Sequence, residues 1–145
     1  MIAIQYPQYN FKIKGEKGNE MIFDELRKKW IVLTPEEWVR QNTLQYFIQV
    51  MKYRKELISV EKELIIGELK KRFDIVIYDK KIYPWMLVEC KGMDIPLKET
   101  ALTQALIYNQ KLSIKYIIVT NGKFTKGFQL HPDIIELNYL PQPDE

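Results

Sequence analysis

Three charged residues stand where a pair of β-strands would be expected to carry apolar side chains. Asp74 interrupts one apolar run, and Glu89 and Lys91 lie at the end of the next. Side chains alternate across a strand, so Glu89 and Lys91 project to the same face. A short polar turn between the two runs would fold the strands together and place Asp74 opposite residues near 87 to 89. The spacing therefore predicts two carboxylates and an ammonium group close together at one end of a sheet.

These residue types suggest a particular chemistry. Two neighbouring carboxylates repel each other in a semi-buried site unless a cation lies between them. Oxygen ligands suit a hard ion, so Mg²⁺ or Mn²⁺ is the expected occupant. Lys91 would then position an attacking water or stabilise the negative charge that builds on a phosphate. An acid, an acid-x-Lys tripeptide and a divalent ion together indicate hydrolysis of a phosphodiester bond.

A helix is predicted upstream of the two strands, over residues 34–53. Thr34 is the expected N-cap, Pro35 fits the first helical position, and Glu37 completes a capping box. An apolar stripe at helical spacing supports the helix, formed by Val39, Tyr46, Phe47 and Val50.

The remaining segments predict a mixed sheet packed against helices. Apolar runs predict three successive strands at 57–64, 72–79 and 83–90. A second helix at 97–112 then leads to a strand at 115–122. The order from Thr34 is α-β-β-β-α-β, in which hairpin steps are followed by a helical crossover, and this order indicates an α/β fold.

The N-terminal segment predicts a small β region of its own, with a turn at "KGEKGNE" and a strand at "KWIVL". We therefore expect residues 1–33 to form a β extension packed on a core of residues 34–145. The C-terminal segment, which contains three prolines, predicts an extended stretch and a frayed tail.

Composition restricts the class of protein. A chain of 145 residues that is 46% hydrophobic and 28% charged suits one folded domain. The single cysteine, Cys90, permits no internal disulfide, and the single histidine, His131, excludes a multi-histidine metal site. The N-terminus has no signal-peptide pattern, and no apolar run approaches the roughly 20 residues that span a bilayer. These features predict a cytoplasmic protein without a membrane partner.

The motif residues match a known nuclease superfamily. Asp74 followed by Glu89-Cys90-Lys91 resembles the PD-(D/E)xK motif, with Phe73 where the motif has proline. On the second helix, Gln104 matches the glutamine of the QxxxY variant and Tyr108 lies four residues later. A wider frame over residues 30–122 is similar to the N-terminal nuclease domain of type I restriction enzyme R subunits. It comprises "TPEEWVRQ", "SVEKEL", "KRFDIVIYD", "LVECKG", "YN" and "VTNG".

The resemblance implies a restriction-endonuclease-like core and Mg²⁺-dependent DNA cleavage, with Mn²⁺ as a substitute ion. It implies catalytic roles for Asp74, Glu89 and Lys91, with Gln104 lining the site, and metal binding by Asp74 and Glu89. A glutamate on the first helix can add a metal ligand, and Glu37 is the best match. Glu37 is equally well explained as a helix cap, and Glu36 is the alternative ligand.

Other residues are assigned by their position. Arg72, two residues from Asp74, is expected to contact a DNA phosphate, and Tyr108 is expected to line the same site. Arg40 and Gln41 are expected at the surface. Cys90 points away from Glu89 and is expected to be a small core residue.

The implied partners are DNA and, in a restriction system, a motor, methyltransferase or specificity subunit. The sequence lacks the GxxxxGK[ST] phosphate loop and helicase motor of the large R subunits. Two alternatives stay open. One is a non-cleaving DNA-binding or assembly module with the same fold, and the other is a junction-resolving or RNA nuclease.

Overall fold

The computed structural model describes residues 1–99, 103, 107 and 113–143. It contains a helix, α1, at Pro35–Gln49 and a short 3₁₀ helix at Lys55–Leu57. Nine strands are numbered in chain order. They are β1 Ile13–Lys14, β2 Met21–Asp24, β3 Lys29–Val32, β4 Ile58–Ile66, β5 Leu69–Tyr78, β6 Pro84–Cys90, β7 Tyr116–Thr120, β8 Thr125–Gln129 and β9 Ile135–Glu136.

Six of the strands form one mixed sheet in the order β4-β5-β6-β7-β8-β9. Its strand pairs are antiparallel except β6 and β7, which run parallel. A parallel neighbour requires a crossover connection. Of the helix predicted at 97–112 in that connection, the structure describes residues 97–99, which are not helical, and Thr103 and Ile107, which are. The predicted helix at 97–112 otherwise lies largely outside the described residues, and so do Gln104 and Tyr108.

The N-terminal strands form a separate three-stranded antiparallel sheet in the order β1-β2-β3. Helix α1 follows it directly, and Thr34 caps the helix by accepting a hydrogen bond from the Glu37 backbone N–H at 3.0 Å. Pro35 occupies the first turn, where its missing N–H leaves no hydrogen bond unmade. The predicted start of the helix is thus found in the structure.

Apolar side chains cover both faces of the central strands. On the α1 side, Phe47 and Leu44 pack with Ile75 and Val88 of β5 and β6. A second cluster fills the other face, with members that include Val76, Leu87, Ile117 and Phe128. Burial on both faces explains why these strands read as continuous apolar runs.

Some predicted boundaries were wrong. Strands β4 and β5 continue to a tight turn at Gly67 and Glu68, whereas the sequence analysis left residues 65–71 between strands. Strand β8 was not predicted at all. Val50 lies beyond the end of α1 and is exposed, so it does not extend the apolar stripe.

Among the described residues, no helix is both long and apolar enough to cross a membrane.

Candidate active site at the end of the central hairpin

The motif residues lie where strands β5 and β6 separate. The last residue pair between these strands is Ile75 with Val88. Asp74 and Glu89 are the next residue beyond that pair on each strand, and Lys91 follows the end of β6. The backbone N–H of Lys91 donates to the Thr120 carbonyl at 2.8 Å, which anchors this segment to β7. The strand register therefore brings the three residues to one end of the sheet.

An open cleft of about 280 Å³ lies at this end of the sheet. Its charged lining comprises the acids Glu36, Glu61, Asp74 and Glu89 and the bases Arg40, Lys71, Arg72 and Lys91. A larger cleft of about 600 Å³ lies elsewhere, but its described lining contains only one carboxylate, that of Asp94. The cleft beside Asp74 is therefore the one with the residues for phosphate chemistry.

The regular alternation of β5 is broken at Asp74. Ile75 packs in the cluster on the α1 side and Val76 in the opposite cluster. Strict alternation would place Phe73 with Ile75, but Phe73 packs with Val76. Asp74 contacts a side chain of α1 and does not follow Val76 into the opposite cluster. Because of this irregularity, the Asp74 side chain lies at the cleft and is not buried against the opposite face of the sheet.

Both oxygens of the Asp74 carboxylate accept a hydrogen bond. The backbone N–H of Cys90 donates to Oδ2 at 2.7 Å, and the Arg40 guanidinium donates to Oδ1 at 2.6 Å. The expectation that Arg40 and Gln41 lie at the surface is wrong, because only 5% of Arg40 and 3% of Gln41 is exposed. Two donors from different elements fix the orientation of the carboxylate.

Glu89 is held by a different cation. The Lys71 ammonium lies 3.0 Å from Glu89 Oε1, close enough for an ion pair. That buried oxygen has no aligned hydrogen-bond partner among the described residues. Each of the two acids thus lies beside a cation of the protein, Asp74 beside Arg40 and Glu89 beside Lys71, and neither contact was predicted.

Arg40 contacts three further carboxylates. Its Nη1 lies 2.8 Å from Glu37 and 3.2 Å from Glu61, and its Nη2 lies 3.5 Å from Glu36. Burial acts to lower the pKa of Arg40, but the negative charges of Glu37 and Asp74 outweigh burial and raise it. The guanidinium is thus held charged at the centre of an acidic cluster.

Glu61 reaches the cluster through an unusual backbone conformation. Its φ is +52°, a left-handed value that is uncommon for residues other than glycine. It lies on β4 between Val60 and Lys62, which pair with Ile75 and Phe73 on either side of Asp74. Strain of this kind costs on the order of 1–3 kcal/mol and is typical of functional sites.

A further set of contacts connects the cluster to the N-terminal sheet. Arg27 contacts Glu37 at 3.0 Å and Glu61 at 3.3 Å. The Asp24 carboxylate, which is fully buried, accepts from Arg27 Nε at 2.6 Å and from Gln41 at 2.9 Å. Gln41 also donates to Glu37 at 3.0 Å. The two arginines and the amide satisfy acids that would otherwise be buried without partners.

The two glutamates of the first helical turn have different surroundings. Glu37 is buried and accepts hydrogen bonds from Arg27, Arg40 and Gln41. Glu36 is half exposed and lines the cleft. Burial and the negative charge of Asp74 raise the pKa of Glu36, against the lowering effects of Arg40 and Lys91. Glu36, the alternative in the sequence analysis, thus faces the cleft, whereas Glu37 is part of the network beneath it.

The remaining predicted residues occupy distinct places. Arg72 and Lys91 are exposed at the cleft. Cys90 is buried, and burial raises the pKa of its thiol well above the usual value, followed by the charge of Asp74. A neutral buried thiol is not a nucleophile, which agrees with the expected core position.

The donors at the cleft fit a hard divalent ion. Asp74, Glu89 and Glu36 offer carboxylate oxygens at the cleft, and Glu89 Oε1 is contacted there by the Lys71 ammonium. Within the same part of the chain, no three acidic, histidine or cysteine side chains are grouped as a preformed metal cage. Mg²⁺ usually keeps several waters and binds through one or two carboxylates, so it does not require a cage.

The Lys71 contact was not predicted, and Arg40 was wrongly expected at the surface. The spacing of Arg40 from Glu36 and Glu37, at four and three residues, was a usable signal for ion pairs on one helical face. The Lys71 contact depends on where β5 begins, which the sequence analysis placed too late.

Comparisons with known proteins concern both sequence and fold. A family described as type I restriction enzyme R protein N terminus (HSDR_N) matches residues 35–142. Among solved structures, a proposed nuclease of the DUF820 group from Anabaena variabilis aligns with a TM-score of 0.52 and 11% identity. The alignment covers 90% of this chain and 85% of the other, and it supports the mixed α/β fold predicted from the sequence. No curated protein matches the chain significantly.

Proposed function

The chain belongs to the family of type I restriction enzyme R protein N termini, and from this we propose that it is a divalent-metal-dependent endonuclease that hydrolyses phosphodiester bonds in DNA. The observation that carries the proposal is the arrangement of Asp74, Glu89 and Lys91 around one cleft at the open end of the β5–β6 hairpin. A nuclease needs anionic metal ligands and a cation beside the phosphate, and this cleft contains both.

The proposed ion is Mg²⁺, with Mn²⁺ as a substitute. Asp74 and Glu89 would hold it, and Glu36 is the side chain of the first helix that is placed to assist. We assign this assisting role to Glu36 because Glu37 is engaged by two arginines and a glutamine. When bound, the ion would polarise the scissile phosphate and lower the pKa of a water ligand.

The chain's own residues orient the reactants. Arg40 and the Cys90 N–H each donate to one oxygen of the Asp74 carboxylate, which lines the cleft. Lys91 is exposed beside Glu36 and Glu89 and can donate to a phosphate oxygen or to the attacking water. A fixed positive charge at this position stabilises the transition state more than the ground state.

Phosphate binding would extend from Lys91 to Arg72 at the edge of the cleft. The net charge of +3 favours an anionic polymer without requiring one. Gln104 and Tyr108, which lie outside the described residues, stay proposed as a catalytic residue and a DNA contact.

The family also suggests a biological setting. Its description names a type I restriction enzyme R protein, and we propose that the chain works in a restriction–modification system with a motor, methyltransferase or specificity subunit.

A cleavage assay tests the proposal. Plasmid, linear and branched DNA, and an RNA of matching sequence, are incubated with the protein and Mn²⁺. We expect metal-dependent cutting of DNA that is abolished in Asp74→Asn. Cutting confined to branched DNA or to RNA would favour the alternative nucleases. Absence of cutting on every substrate, with restriction partners present, would favour a non-cleaving module.

A further inference from the structure

The cleft contains a buried cation that no motif identifies, the guanidinium of Arg40. It lies on α1, opposite the strands that bear Asp74 and Glu89, and it donates to Asp74 Oδ1 at 2.6 Å. Lys91 in contrast is exposed. Arg40 is therefore too deeply enclosed to act as a phosphate contact, and its contacts within the protein define its role.

The planar fork of Arg40 joins three structural elements, α1, β4 and β5, in one geometry. Its Nη2 holds Asp74 of β5, while its Nη1 holds Glu37 of α1 and Glu61 of β4. A lysine has a single ammonium group and does not reproduce this fork. The orientation of Asp74 thus depends on the guanidinium and not only on its charge.

Arg40 is also supported indirectly, through Glu37 and Glu61, by residues outside the segment that matches the family. Asp24, at the end of β2, orients Arg27, and Arg27 contacts Glu37 and Glu61, the two acids that also contact Nη1 of Arg40. The family match begins at residue 35. The N-terminal sheet therefore supplies part of the support for the acid at the cleft.

The charges of this network leave room for a divalent ion. Four carboxylates, those of Asp24, Glu37, Glu61 and Asp74, surround two guanidinium groups, so two negative charges are uncompensated. The other acids at the cleft, Glu36 and Glu89, lie with three further cations that line it, Lys71, Arg72 and Lys91, so the formal charges of the network and the cleft together sum to −1. The network therefore holds Arg40 beside Asp74, and the group of charges around Asp74 still keeps a net negative charge.

We propose that Arg40 is the positioning residue of this centre, orienting the Asp74 carboxylate for the metal, and that the Asp24–Arg27–Glu37 contacts hold Arg40 in turn. The inference rests on the proposed function. Side chains that orient metal ligands typically contribute about 10–100-fold to metal affinity or activity. Arg40 differs from such side chains because it is positively charged. The direction in which its removal changes the affinity for the metal ion therefore separates positioning from charge repulsion.

Two views of Arg40 predict opposite results. If its charge merely competes with the ion for Asp74, removing that charge in Arg40→Met tightens Mn²⁺ binding. If Arg40 positions Asp74, the same substitution weakens Mn²⁺ binding despite the lost repulsion. Arg40→Lys keeps the charge and loses the fork, so only the positioning role predicts a weaker affinity for it.

The experiment is calorimetric titration of the full chain with MnCl₂, together with single-turnover DNA cleavage at saturating Mn²⁺ and DNA binding in Ca²⁺. We expect Arg40→Lys to bind Mn²⁺ about 10-fold more weakly and to cut more slowly at saturation, with DNA affinity unchanged. Arg54→Lys is the matched control, since Arg54 is exposed and pairs only loosely with Glu56 at 3.7 Å. It should behave as the wild type.

Arg27→Lys provides a second test in case the Arg40 variants do not fold, because Arg27 lies one contact further from Asp74. It should show a smaller loss of Mn²⁺ affinity in the same direction. Wild-type affinity in folded Arg40→Lys, or tighter binding in Arg40→Met, would overturn the positioning role alone. A wild-type protein that binds no Mn²⁺ would overturn the proposed function as well.

Discussion

Arg40 lies against four carboxylates, those of Glu36, Glu37, Glu61 and Asp74, and this determines what a substitution there does to stability. Arg40→Met would leave the partly buried Asp74 without the cation that contacts it and would leave Glu37 with Arg27 alone. Removing one partner of a buried ion pair typically costs about 3–5 kcal/mol. Urea unfolding at neutral pH measures the difference.

Arg54→Met is the control for Arg40→Met, because Arg54 is exposed at the surface. Surface substitutions of this kind usually change the free energy of unfolding by less than about 0.5 kcal/mol. If Arg40→Met lowered the free energy of unfolding as little as the control does, the ion pairs around Arg40 would make no net contribution to stability. The network would then have to be held by packing alone.

The ionisation of the Asp24 carboxyl makes the stability of the protein depend on pH. Burial acts to raise its pKa, but the backbone N–H, side-chain hydrogen bond and charge of Arg27, together with Gln41, lower it below the ordinary value. A carboxyl whose folded pKa is depressed contributes stability above its unfolded pKa, which is about 3.9, and that contribution is lost as the pH falls through the folded value.

We therefore expect Asp24→Asn to be less stable than the wild type at pH 7, with the gap narrowing as the pH falls below about 4. Urea unfolding at a series of pH values from 7 to 3 measures it. Asp133→Asn, at an exposed acid, is the control. A gap that stayed constant across the series would show that the charge of Asp24 has no part in the difference.

At the scale of elements, the composition of helix α1 explains why the sequence pattern did not predict the ion pairs around Arg40. Its buried residues include Glu37, Arg40, Gln41, Thr43 and Gln45 as well as apolar side chains. Hydrophobic periodicity places polar residues on the outside of a helix. Glu37, Arg40 and Gln41 face inward because Asp24 and Arg27 of the N-terminal region, and acids of β4 and β5, supply their partners. Those partners are distant in sequence, so local pattern does not predict them.

The start of α1 gives a local test. Thr34 Oγ1 accepts from the Glu37 N–H at 3.0 Å, and the loss of such a cap typically costs about 1 kcal/mol. Thr34→Ala should therefore lower the free energy of unfolding by about that amount, whereas Thr34→Ser keeps the hydroxyl and should be near neutral. Equal stabilities of the alanine and serine variants in urea unfolding would rule out the capping hydrogen bond as a contributor.

The unpredicted strand β8 has a similar explanation. Gly127 lies in its middle, and glycine weakens the strand pattern that a sequence shows. A Cβ at this position would lie 2.6 Å from Ile118 Cδ1 and 2.9 Å from Ile2 Cδ1. The ends of the Ile118 and Ile2 side chains fill the space that a Cβ would take, and the glycine that leaves this space also weakens the strand propensity of the segment.

For the molecule as a whole, the sequence was sufficient for the order of the main elements and the location of the cleft. The hairpin turn predicted that Asp74 lies near Glu89 and Lys91, but the break in alternation that brings Asp74 towards α1 was not predicted. What could not be predicted were the cations Arg40 and Lys71, because their contacts depend on the irregularity at Asp74, the left-handed Glu61 and the packing of the N-terminal sheet.

The mild positive charge of the chain predicts how it binds DNA. Phosphate contacts release counterions, so affinity should fall steeply with salt and differ little among sequences. Arg72→Glu should weaken binding to all duplexes alike and reduce the salt dependence, whereas Arg54→Glu, at an exposed site outside the cleft, should have a smaller effect. Fluorescence anisotropy from low to physiological salt measures both, and salt-independent affinity would contradict a phosphate-binding surface.

The central claim, that the cleft cleaves DNA, is tested most directly at Lys91. Single-turnover cleavage with Mn²⁺ at saturating DNA is compared between the wild type, Lys91→Ala and the control Lys81→Ala, whose exposed lysine lies in the turn at the far end of the β5–β6 hairpin. Loss of a preorganised transition-state charge costs about 10²–10³ in rate. We expect that loss for Lys91→Ala alone, with DNA affinity in Ca²⁺ unchanged within a few fold. If Lys91→Ala cut saturating DNA as fast as the wild type, the proposed active site would be wrong.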